Sequence, residues 1–464
     1  MLSAFVPYLL PRRNLKQSLS RENRIGMNSF FSFSAIAKIL VRLAAILMVG
    51  AVASISLAAP VKIWISSQQD KIYYDNMVRL YQQEVDPDFQ AEVEAFGFRE
   101  MPDKLAIAFK TQTNTPDIVQ LDEVFFGMYL QGEAPFVDLT DRVKAAGLDK
   151  SIMPQRLELF SVGEQVLGLP QSLSAVVIYY RRDLFKQFSL SPSEFKTWDD
   201  FVAIGEELAG QNQPLLALDP SYFGMLLRQR GGHLFSETGE ALPDFELAVD
   251  TLEFLGELAQ KRIGLMPDRS TIFDPVFFGG DVANNEILAI MGADWYGLDM
   301  IQQFSSELEG EWGIMPLPVW TDDAGNPNSV RTSTFAGQGL VIYKGSDLVD
   351  ESWEFMKFVM TNREANAQRF LQGNSFPAYK PAFEDIRLLQ PQPFFGYDSM
   401  GQILVDLAPE VPRVMMNPKR PMAVFMIREG MLSSVMYGEG DARTALTRFK
   451  DQLESGGGPP PGAN

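Results

Sequence analysis

One stretch of the sequence, residues 162–208, reads as a buried strand followed by a capped helix. A Gly-Leu-Pro turn signal at 168–170 precedes an apolar, β-branched run at 175–180. After a polar loop, Thr197 has the character of a helix N-cap, and two aspartates follow it in the first turn, where the helix dipole favours anions. A buried strand that leads into a capped helix is the repeating unit of layered α/β proteins. We therefore predict an α/β fold.

Composition narrows the functional classes. At 464 residues the chain is long enough for two domains of ordinary size. It contains no cysteine and only His233, which excludes disulfides, thiol catalysis and sites with several histidines. The formal charge of −19 disfavours nucleic acid and anionic membrane surfaces as partners, because both require basic patches.

The N-terminal region has the pattern of an export signal. Lys38 and Arg42 precede an apolar run at 43–55, which ends in small residues at 56–59. This order predicts a signal peptide within residues 1–58, cleaved after Ala58 and starting at Met27. The run is too short to span a bilayer comfortably, and no cysteine follows it to carry a lipid. The sequence thus predicts a periplasmic protein without a lipid anchor.

Polar side chains follow two predicted strands at the point where each strand ends. A strand at Val61–Ile65 leads into a polar loop that contains Gln68 and Gln69, and a buried strand at 115–122 ends on Asp122 and Glu123. Ligands of α/β proteins bind at the carboxyl ends of strands, which makes Gln68 and Gln69 candidate contacts. The alternatives are an ordinary strand-to-helix turn for the glutamines and an N-cap role for Asp122.

Several motifs, taken in order, resemble those of a known family. They are the Gly-Leu-Pro turn with the Asp183-Leu184-Phe185 strand end, Thr197-Trp198-Asp199, Gly231–Phe235, Ala289–Trp295, Trp312–Pro318 and Asn374–Tyr379. This order is similar to that of the extracellular solute-binding proteins of ABC importers, in the carbohydrate-binding group that includes the maltodextrin-binding proteins. The resemblance covers residues 61–453. Two departures are Arg181, where many members have Asn, and the extra Asp294, which leaves the alignment open to a slip of one residue.

The resemblance implies a two-lobe periplasmic-binding-protein fold of the class II type, with the ligand in a cleft between the lobes. The implied lobes are 60–173 plus 335–376 and 174–334 plus 377–453, with the chain crossing near residues 173–175, 332–335 and 376–380. Residues 454–464 are predicted to form a flexible tail. The implied protein is a non-enzymatic monomer without cofactor or metal, which delivers a mono- or oligosaccharide to an inner-membrane ABC permease.

The resemblance also implies a set of ligand-binding side chains. Trp295 is expected to stack on a sugar ring, because the apolar faces of sugars lie well on aromatic rings. The other expected stacking surfaces are Trp64, Tyr222 and Phe376. The expected partners for sugar hydroxyl groups are Gln68, Gln69, Gln171 and Asp122. Arg413 is the expected cation.

Four alternatives remain open on the residues alone. Arg228, Arg331 and Arg413 leave room for an acidic sugar or a glycerol phosphate, and the acidic surface would suit a polyamine. Tyr179 and Tyr180 prompt a ferric-ion binder, although neighbours on a strand point to opposite faces. A ligand-presenting protein for a chemoreceptor or sensor kinase would use the same fold. Catalysis by a glycosidase-like carboxylate pair is disfavoured, since adjacent residues such as Asp122 and Glu123 rarely converge on one bond.

Overall fold

The computed structural model describes residues 59–455, except for residues 269, 323, 373 and 374. The predicted signal peptide and residues 456–464 of the predicted tail lie outside this part of the chain. Within it, no helix is both long enough and apolar enough to cross a membrane.

The strands are short and are spread along the whole described chain. They are β1 (Val61–Ile65), β2 (Ala91–Ala95), β3 (Ile118–Asp122), β4 (Ser161–Val162), β5 (Gln165–Val166), β6 (Gly168–Pro170), β7 (Val176–Arg181), β8 (Leu216–Ala217), β9 (Gly264–Leu265), β10 (Ala289–Ala293), β11 (Trp312–Met315) and β12 (Gln338–Ile342).

The α-helices separate these strands and occupy most of the C-terminal region. They are α1 (Gln68–Glu84), α2 (Met101–Thr111), α3 (Glu123–Phe126), α4 (Thr140–Ala145), α5 (Leu148–Ser151), α6 (Pro154–Leu157), α7 (Arg182–Gln187), α8 (Trp198–Ala209), α9 (Tyr222–Gln229), α10 (Phe245–Gln260), α11 (Pro275–Phe277), α12 (Gln302–Phe304), α13 (Val349–Thr361), α14 (Arg363–Leu371), α15 (Met400–Leu407), α16 (Arg420–Arg428), α17 (Ser433–Met436) and α18 (Ala442–Ser455). Two π-helical segments, Phe278–Val282 and Tyr296–Ile301, interrupt this pattern.

The strands form two mixed sheets and one small hairpin. The first sheet has the order β2-β1-β3-β12-β6, and the second has the order β11-β7-β10-β8-β9. In the first sheet β2, β1 and β3 are parallel, and β12 runs antiparallel to both β3 and β6. In the second sheet β10 is parallel to β8 but antiparallel to β7. The predicted fold class of two α/β lobes is confirmed.

The first sheet is covered on both faces by hydrophobic side chains of the surrounding helices. Ile63 and Ile65 of β1 pack in one hydrophobic cluster with residues of α1 and α13, whereas Trp64 between them packs in a second cluster with Leu105 of α2. This alternation follows from the period of two in a strand. The second sheet lies in a larger cluster that takes in the C-terminal helices.

The helix start at Thr197 is confirmed in detail. The Thr197 hydroxyl accepts a hydrogen bond from the backbone N–H of Asp200, whose carboxylate in turn accepts one from the backbone N–H of Thr197. Such reciprocal capping satisfies two N–H groups that a helix leaves unpaired. The last helix, α18, continues to Ser455, and its buried residues Phe449 and Leu453 hold it against the protein.

Three segments that pass between the sheets lie side by side. Bridge contacts pair Ser172 with Pro377 and Ala175 with Thr334, where the sequence places the chain crossings. Buried Arg156 joins them, because its guanidinium donates to the carbonyl oxygens of Ser172 (3.0 Å) and Ala336 (3.1 Å) and to the Thr334 hydroxyl (2.9 Å). These contacts do not test the exact lobe boundaries, which stay a prediction.

Candidate functional site

A cavity of about 370 Å³ lies where the two sheets and the crossing segments meet. Its lining comes from strand ends of both sheets, from the crossing segments and from the C-terminal region, and comprises Ser67, Gln69, Asp70, Phe98, Asp122, Val124, Ser172, Phe273, Trp295, Asp299, Met300, Phe335–Gln338, Arg369, Ser375, Val424 and Arg428. The lining combines apolar and polar side chains, as small-molecule sites commonly do.

Three aromatic rings form one side of the cavity, which we call the aromatic wall: Phe273, Trp295 and Phe335. Their ring centroids lie 5.9 to 6.3 Å apart, and their planes differ by only 20° to 28°. The Trp295 indole N–H donates to the carbonyl oxygen of Phe335 at 3.1 Å, which fixes the tilt of the indole. Near-parallel rings of this kind present a flat apolar surface to a ligand.

The position of Trp295 depends on the residue before it. Asp294 follows β10 and is fully buried, and its carboxylate accepts hydrogen bonds from the backbone N–H groups of Trp295 (2.7 Å), Phe376 (3.1 Å) and Ser174 (3.3 Å). One side chain thus ties the tryptophan to two crossing segments. Burial raises the pKa of Asp294 to about 7. The π-helical segment after Trp295 then brings Asp299 to the cavity.

Polar groups of the first sheet form the opposite side, which we call the polar wall: Gln69, Asp70, Asp122 and Gln338. Asp122 caps α3 by accepting from the backbone N–H of Val124 at 2.9 Å, and it also lines the cavity. The predicted N-cap role is therefore observed, and the position of Asp122 at the cavity is compatible with the predicted ligand contact, which stays a prediction. Burial and the neighbouring Glu123 raise the pKa of Asp122 to about 7.

An amide network behind the polar wall holds it in place. Gln120 of β3 accepts from the backbone N–H of Ser66 (3.0 Å) and donates to the side-chain oxygens of Gln338 (2.7 Å) and Gln171 (3.1 Å). Gln338 donates back to the Ser66 hydroxyl at 2.7 Å. Gln171 is buried in this network and donates to the Tyr74 hydroxyl, so it supports the wall from behind and does not line the cavity.

Three of the predicted ligand-binding side chains are buried outside the cavity lining. Trp64 is packed under α2, against the Phe96 ring at 4.7 Å, because strand alternation turns it away from the cavity. Tyr222 is fully buried, and its hydroxyl accepts from the backbone N–H of Met291. Phe376 packs on Phe370 and Phe383, so only its backbone reaches the site, through Asp294.

The remaining predicted residues lie near the surface. Arg413 is exposed and pairs with Glu158 at 2.5 Å, outside the cavity lining. Gln68 is exposed at the first position of α1, whereas its neighbour Gln69 lines the cavity. Of the nine predicted side chains, the structure therefore brings together Trp295, Asp122 and Gln69, with Gln171 directly behind them.

Several lining residues were missed in the sequence. Asp299 lies one helical turn after Trp295, so the helical spacing of four residues was a usable signal. Phe273 lies in a loop, and Val424 and Arg428 lie on α16. Both segments are far in sequence from the strand ends that line the cavity, and no local pattern marks them.

The residues that prompted a metal site lie in the core. Tyr179 is fully buried, and its hydroxyl donates to the carbonyl oxygen of Ala293 at 2.9 Å. In the part of the chain that the structure describes, no group of three or more histidine, aspartate or glutamate side chains is arranged to hold a metal ion.

Comparisons with known proteins identify relatives of this chain. The sequence profile of bacterial extracellular solute-binding proteins matches residues 67–366. An arabinooligosaccharide-binding protein of Halalkalibacterium halodurans is 22% identical over 84% of this chain and 87% of its own length. A lactose-binding protein of Rhizobium radiobacter is 24% identical over 71% of this chain and 77% of its own length.

Solved structures show the same fold. The galacto-N-biose-/lacto-N-biose I-binding protein of an ABC transporter of Bifidobacterium longum, in complex with lacto-N-biose, superimposes with a TM-score of 0.69. It is 17% identical in sequence, and the superposition covers 86% of this chain and 96% of that one. At this identity the likeness establishes the fold and leaves the ligand open.

Proposed function

This chain belongs to the bacterial extracellular solute-binding proteins, and from that premise we propose that it captures a carbohydrate between its lobes and delivers it to an ABC permease. The observation that carries the proposal is the aromatic wall facing carboxyl and amide groups across one cavity. The protein acts by binding and not by catalysis, in keeping with its family.

The chemistry of the two walls suits a sugar. A pyranose ring has apolar C–H faces, which pack on aromatic rings such as Trp295, and hydroxyl groups around its edge. Asp122, Gln69 and Gln338 offer acceptors and donors to those hydroxyls from the other side. The curated relatives with named ligands bind arabinooligosaccharides and lactose, which supports a mono- or oligosaccharide here.

Ligand binding would favour the closed arrangement of the lobes. We assign residues 60–173 plus 335–376 to one lobe and 174–334 plus 377–453 to the other, joined by the crossing segments. The polar wall belongs to the first lobe, whereas Trp295 and Phe273 belong to the second. A sugar that contacts both walls stabilises the closed form, because only that form offers both sets of contacts.

The predicted export signal supports the cellular location that this function requires. We infer that the signal peptide within residues 1–58, which lie outside the described part, directs the chain to the periplasm without a lipid anchor. There the liganded monomer would meet an inner-membrane permease.

Thermal unfolding with and without sugars tests the proposal. At 100 times its Kd, a sugar should stabilise the protein by about 2.7 kcal/mol, which raises the melting temperature by several degrees. We expect a neutral di- or oligosaccharide to give this shift, and Trp295→Ala to weaken binding by about 2 kcal/mol, or roughly 30-fold in Kd.

The matched control for that variant is Trp320→Ala. Trp320 packs on Trp198 and Phe254 away from the cavity, so this change should lower the melting temperature of the free protein and leave the sugar-induced shift intact. Equal loss of the shift in both variants would contradict a stacking role for Trp295. If only a polyamine or ferric citrate shifts the melt, the carbohydrate proposal is wrong while the fold stands.

A further inference from the structure

A second, smaller cavity adjoins the main one, and we call it the inner chamber. It has a volume of about 30 Å³, enough for a water molecule or the head of a small polar group. Val124, Phe335, Val424 and Arg428 line both cavities, so the chamber opens directly behind the sugar site. Its own lining comprises Glu123, Ser221, Gly224, Leu234, Arg228, Arg420 and Ile427.

The charged groups of the inner chamber do not balance. Its lining contains three guanidinium groups, those of Arg228, Arg420 and Arg428, but the single carboxylate of Glu123. Glu123 is already engaged, because both of its oxygens accept hydrogen bonds from Arg420 at 2.6 Å. Burial would raise the pKa of Glu123, but the Arg420 charge and hydrogen bonds outweigh it and hold that pKa below its usual range. The remaining two arginines face the chamber without a carboxylate partner of this kind.

Arg228 is the more deeply buried of these two. Its guanidinium donates through Nε (3.1 Å) and Nη2 (2.7 Å) to the carbonyl oxygen of Thr334, and within the described residues it forms no ion pair. Burial and the nearby Arg420 charge lower the pKa of Arg228 to about 9. A buried guanidinium that has only a backbone carbonyl as acceptor is costly, and a bound anion would stabilise it.

The hydroxyl of Ser221 is a second sign of a missing ligand group. It is buried, yet it neither caps α9 nor makes a hydrogen bond of good geometry with any described residue. The Asp219 carboxyl group lies close to it, and burial raises the pKa of that carboxyl, an effect that the hydroxyl partly offsets. Buried hydroxyls without a well-formed hydrogen bond are uncommon in native proteins, so the Ser221 hydroxyl, which has only the poorly aligned Asp219 carboxyl group beside it, is available to donate to an occupant of the chamber.

Arg428 joins the chamber to the aromatic wall. Its guanidinium lies over the Phe273 ring, 5.2 Å from the centroid, and within the described residues it makes no hydrogen bond or ion pair. The positive charge of Arg428 acts on the carboxyl groups of Asp122 and Asp219. Burial nevertheless raises the pKa of both. A sugar stacked on the aromatic wall would therefore direct a substituent on its edge past Arg428 into the chamber.

We propose that the inner chamber binds the carboxylate of an acidic sugar, such as a uronate, whose ring occupies the main cavity. This inference rests on the proposed carbohydrate function and narrows the substrate class. A carboxylate is planar, is small enough for the chamber and accepts paired hydrogen bonds from guanidinium groups and a hydroxyl. A phosphate ester has the same acceptor chemistry but is bulkier.

Calorimetric titration of the purified protein with matched sugars tests this assignment. The probes are maltose, lactose and galactobiose, disaccharides that contain glucuronate or galacturonate, the methyl esters of these uronates, and glucose 6-phosphate. We expect at least one uronate to bind tenfold or more tightly than its neutral counterpart and its methyl ester. Its Kd should also rise with added salt, because the contact is between charges.

Two variants locate the carboxylate. Gly224→Ala adds a methyl group 3.5 Å from Nη1 of Arg228, an ordinary contact distance, so the protein should fold while the chamber loses room. Ser221→Ala removes the unpartnered hydroxyl. Each should raise the Kd of the uronate about tenfold and leave that of a neutral sugar within twofold, because the first crowds the carboxylate and the second removes a hydrogen bond to a charged group. Arg443→Gln, which removes an exposed arginine paired with Glu246, should change neither.

The outcomes separate this inference from the proposed function. If neutral sugars bind as tightly as uronates, or if the two variants weaken both classes equally, the chamber assignment is wrong and carbohydrate binding stands. A uronate preference that survives both variants overturns the chamber as its site. Tighter binding of glucose 6-phosphate that depends on Gly224 and Ser221 replaces the carboxylate with a phosphate. If no sugar of any class binds, the proposed function itself fails.

Discussion

The two walls of the cavity are held in place in different ways. The polar wall rests on a network in which Gln120 connects Ser66, Gln171 and Gln338 through side-chain hydrogen bonds. The aromatic wall comes from three distant segments, and the carboxylate of Asp294 fixes its central residue by accepting three backbone N–H groups. Removing one member of the network leaves the other contacts of the polar wall, whereas the aromatic wall depends on a single side chain.

The two walls also differ in how they are connected to the segments that cross between the lobes. Asp294 contacts the crossing segments at Ser174 and Phe376, so the group that positions Trp295 also holds the segments about which the lobes would move. The polar wall lies within one sheet, and its network does not involve the second sheet. A change at Asp294 should therefore affect stability and ligand binding together, whereas a change in the network should mainly affect the first lobe.

The largest effect is expected for Asp294→Ala. The change leaves three backbone N–H groups without their acceptor, at a cost of roughly 1 to 3 kcal/mol for each buried group. We expect the free energy of unfolding, measured by urea titration, to fall by about 4 kcal/mol. Asp299→Ala is the matched control, because Asp299 lines the same cavity but accepts no hydrogen bond within the described residues. A loss in Asp294→Ala no greater than in Asp299→Ala would show that the aromatic wall does not depend on this carboxylate.

The contrast between the two walls also explains which site residues could be predicted from the sequence. The polar wall follows the general rule that ligands bind at strand ends, so Gln69 was identified from local pattern, whereas Asp122 was identified from the family resemblance. Trp295 was identified from the family resemblance, whereas Phe273, Phe335 and Arg428 reach the cavity only through the packing of distant segments. The strands at Val61–Ile65, 115–122 and 175–180 and the helix after Thr197 were predicted from periodicity and turn signals, whereas the arrangement in two lobes was predicted from the family resemblance. Trp64 and Tyr222 were assigned to the site because residue type alone does not show which face of an element is buried.

The next effect concerns the network of the polar wall. Gln120→Leu has a similar shape but leaves the backbone N–H of Ser66 and the side-chain oxygens of Gln171 and Gln338 without their partner. We expect a loss of about 2 kcal/mol in the free energy of unfolding, because some of these groups can find water. Gln211→Leu, at an exposed position, should cost less than about 0.5 kcal/mol. Unchanged stability in Gln120→Leu would mean that the network does not support the wall.

The pH dependence of the free energy of unfolding is a smaller effect, and it allows a direct comparison of the two walls. Burial raises the pKa values of Asp122 and Asp294 to about 7, well above those of unfolded aspartates. A group whose folded pKa is raised contributes stability at low pH and loses it as the pH rises through the folded pKa. Each carboxyl group should therefore lower the free energy of unfolding by about 1 kcal/mol between pH 6 and pH 8.

The Asp122→Asn variant isolates the part of this pH dependence that comes from the polar wall. The amide can still accept from Val124, so the cap of α3 is retained while the titration is removed. The stability of the variant should vary less between pH 6 and pH 8, by about 1 kcal/mol. His233, whose pKa burial lowers, acts in the opposite direction but is common to both proteins and cancels in the comparison. Parallel pH profiles for the variant and the original chain would contradict the raised pKa of Asp122.

The smallest effect is expected at the edge of the aromatic wall. Phe273→Leu keeps an apolar side chain but removes a ring that is near-parallel to Trp295 and lies under the Arg428 guanidinium. Aromatic and cation–π contacts at partly exposed positions contribute about 0.5 to 1 kcal/mol, so the Kd of a sugar should rise about threefold to fivefold. Folding stability should hardly change, because Phe273 is only half-buried. If Phe273→Leu weakens sugar binding as much as Trp295→Ala does, the two rings contact the sugar equally and the wall has no central residue. If it has no effect on sugar binding, the sugar stacks on Trp295 and Phe335 alone, and Arg428 is positioned by its charge and not by the ring beneath it.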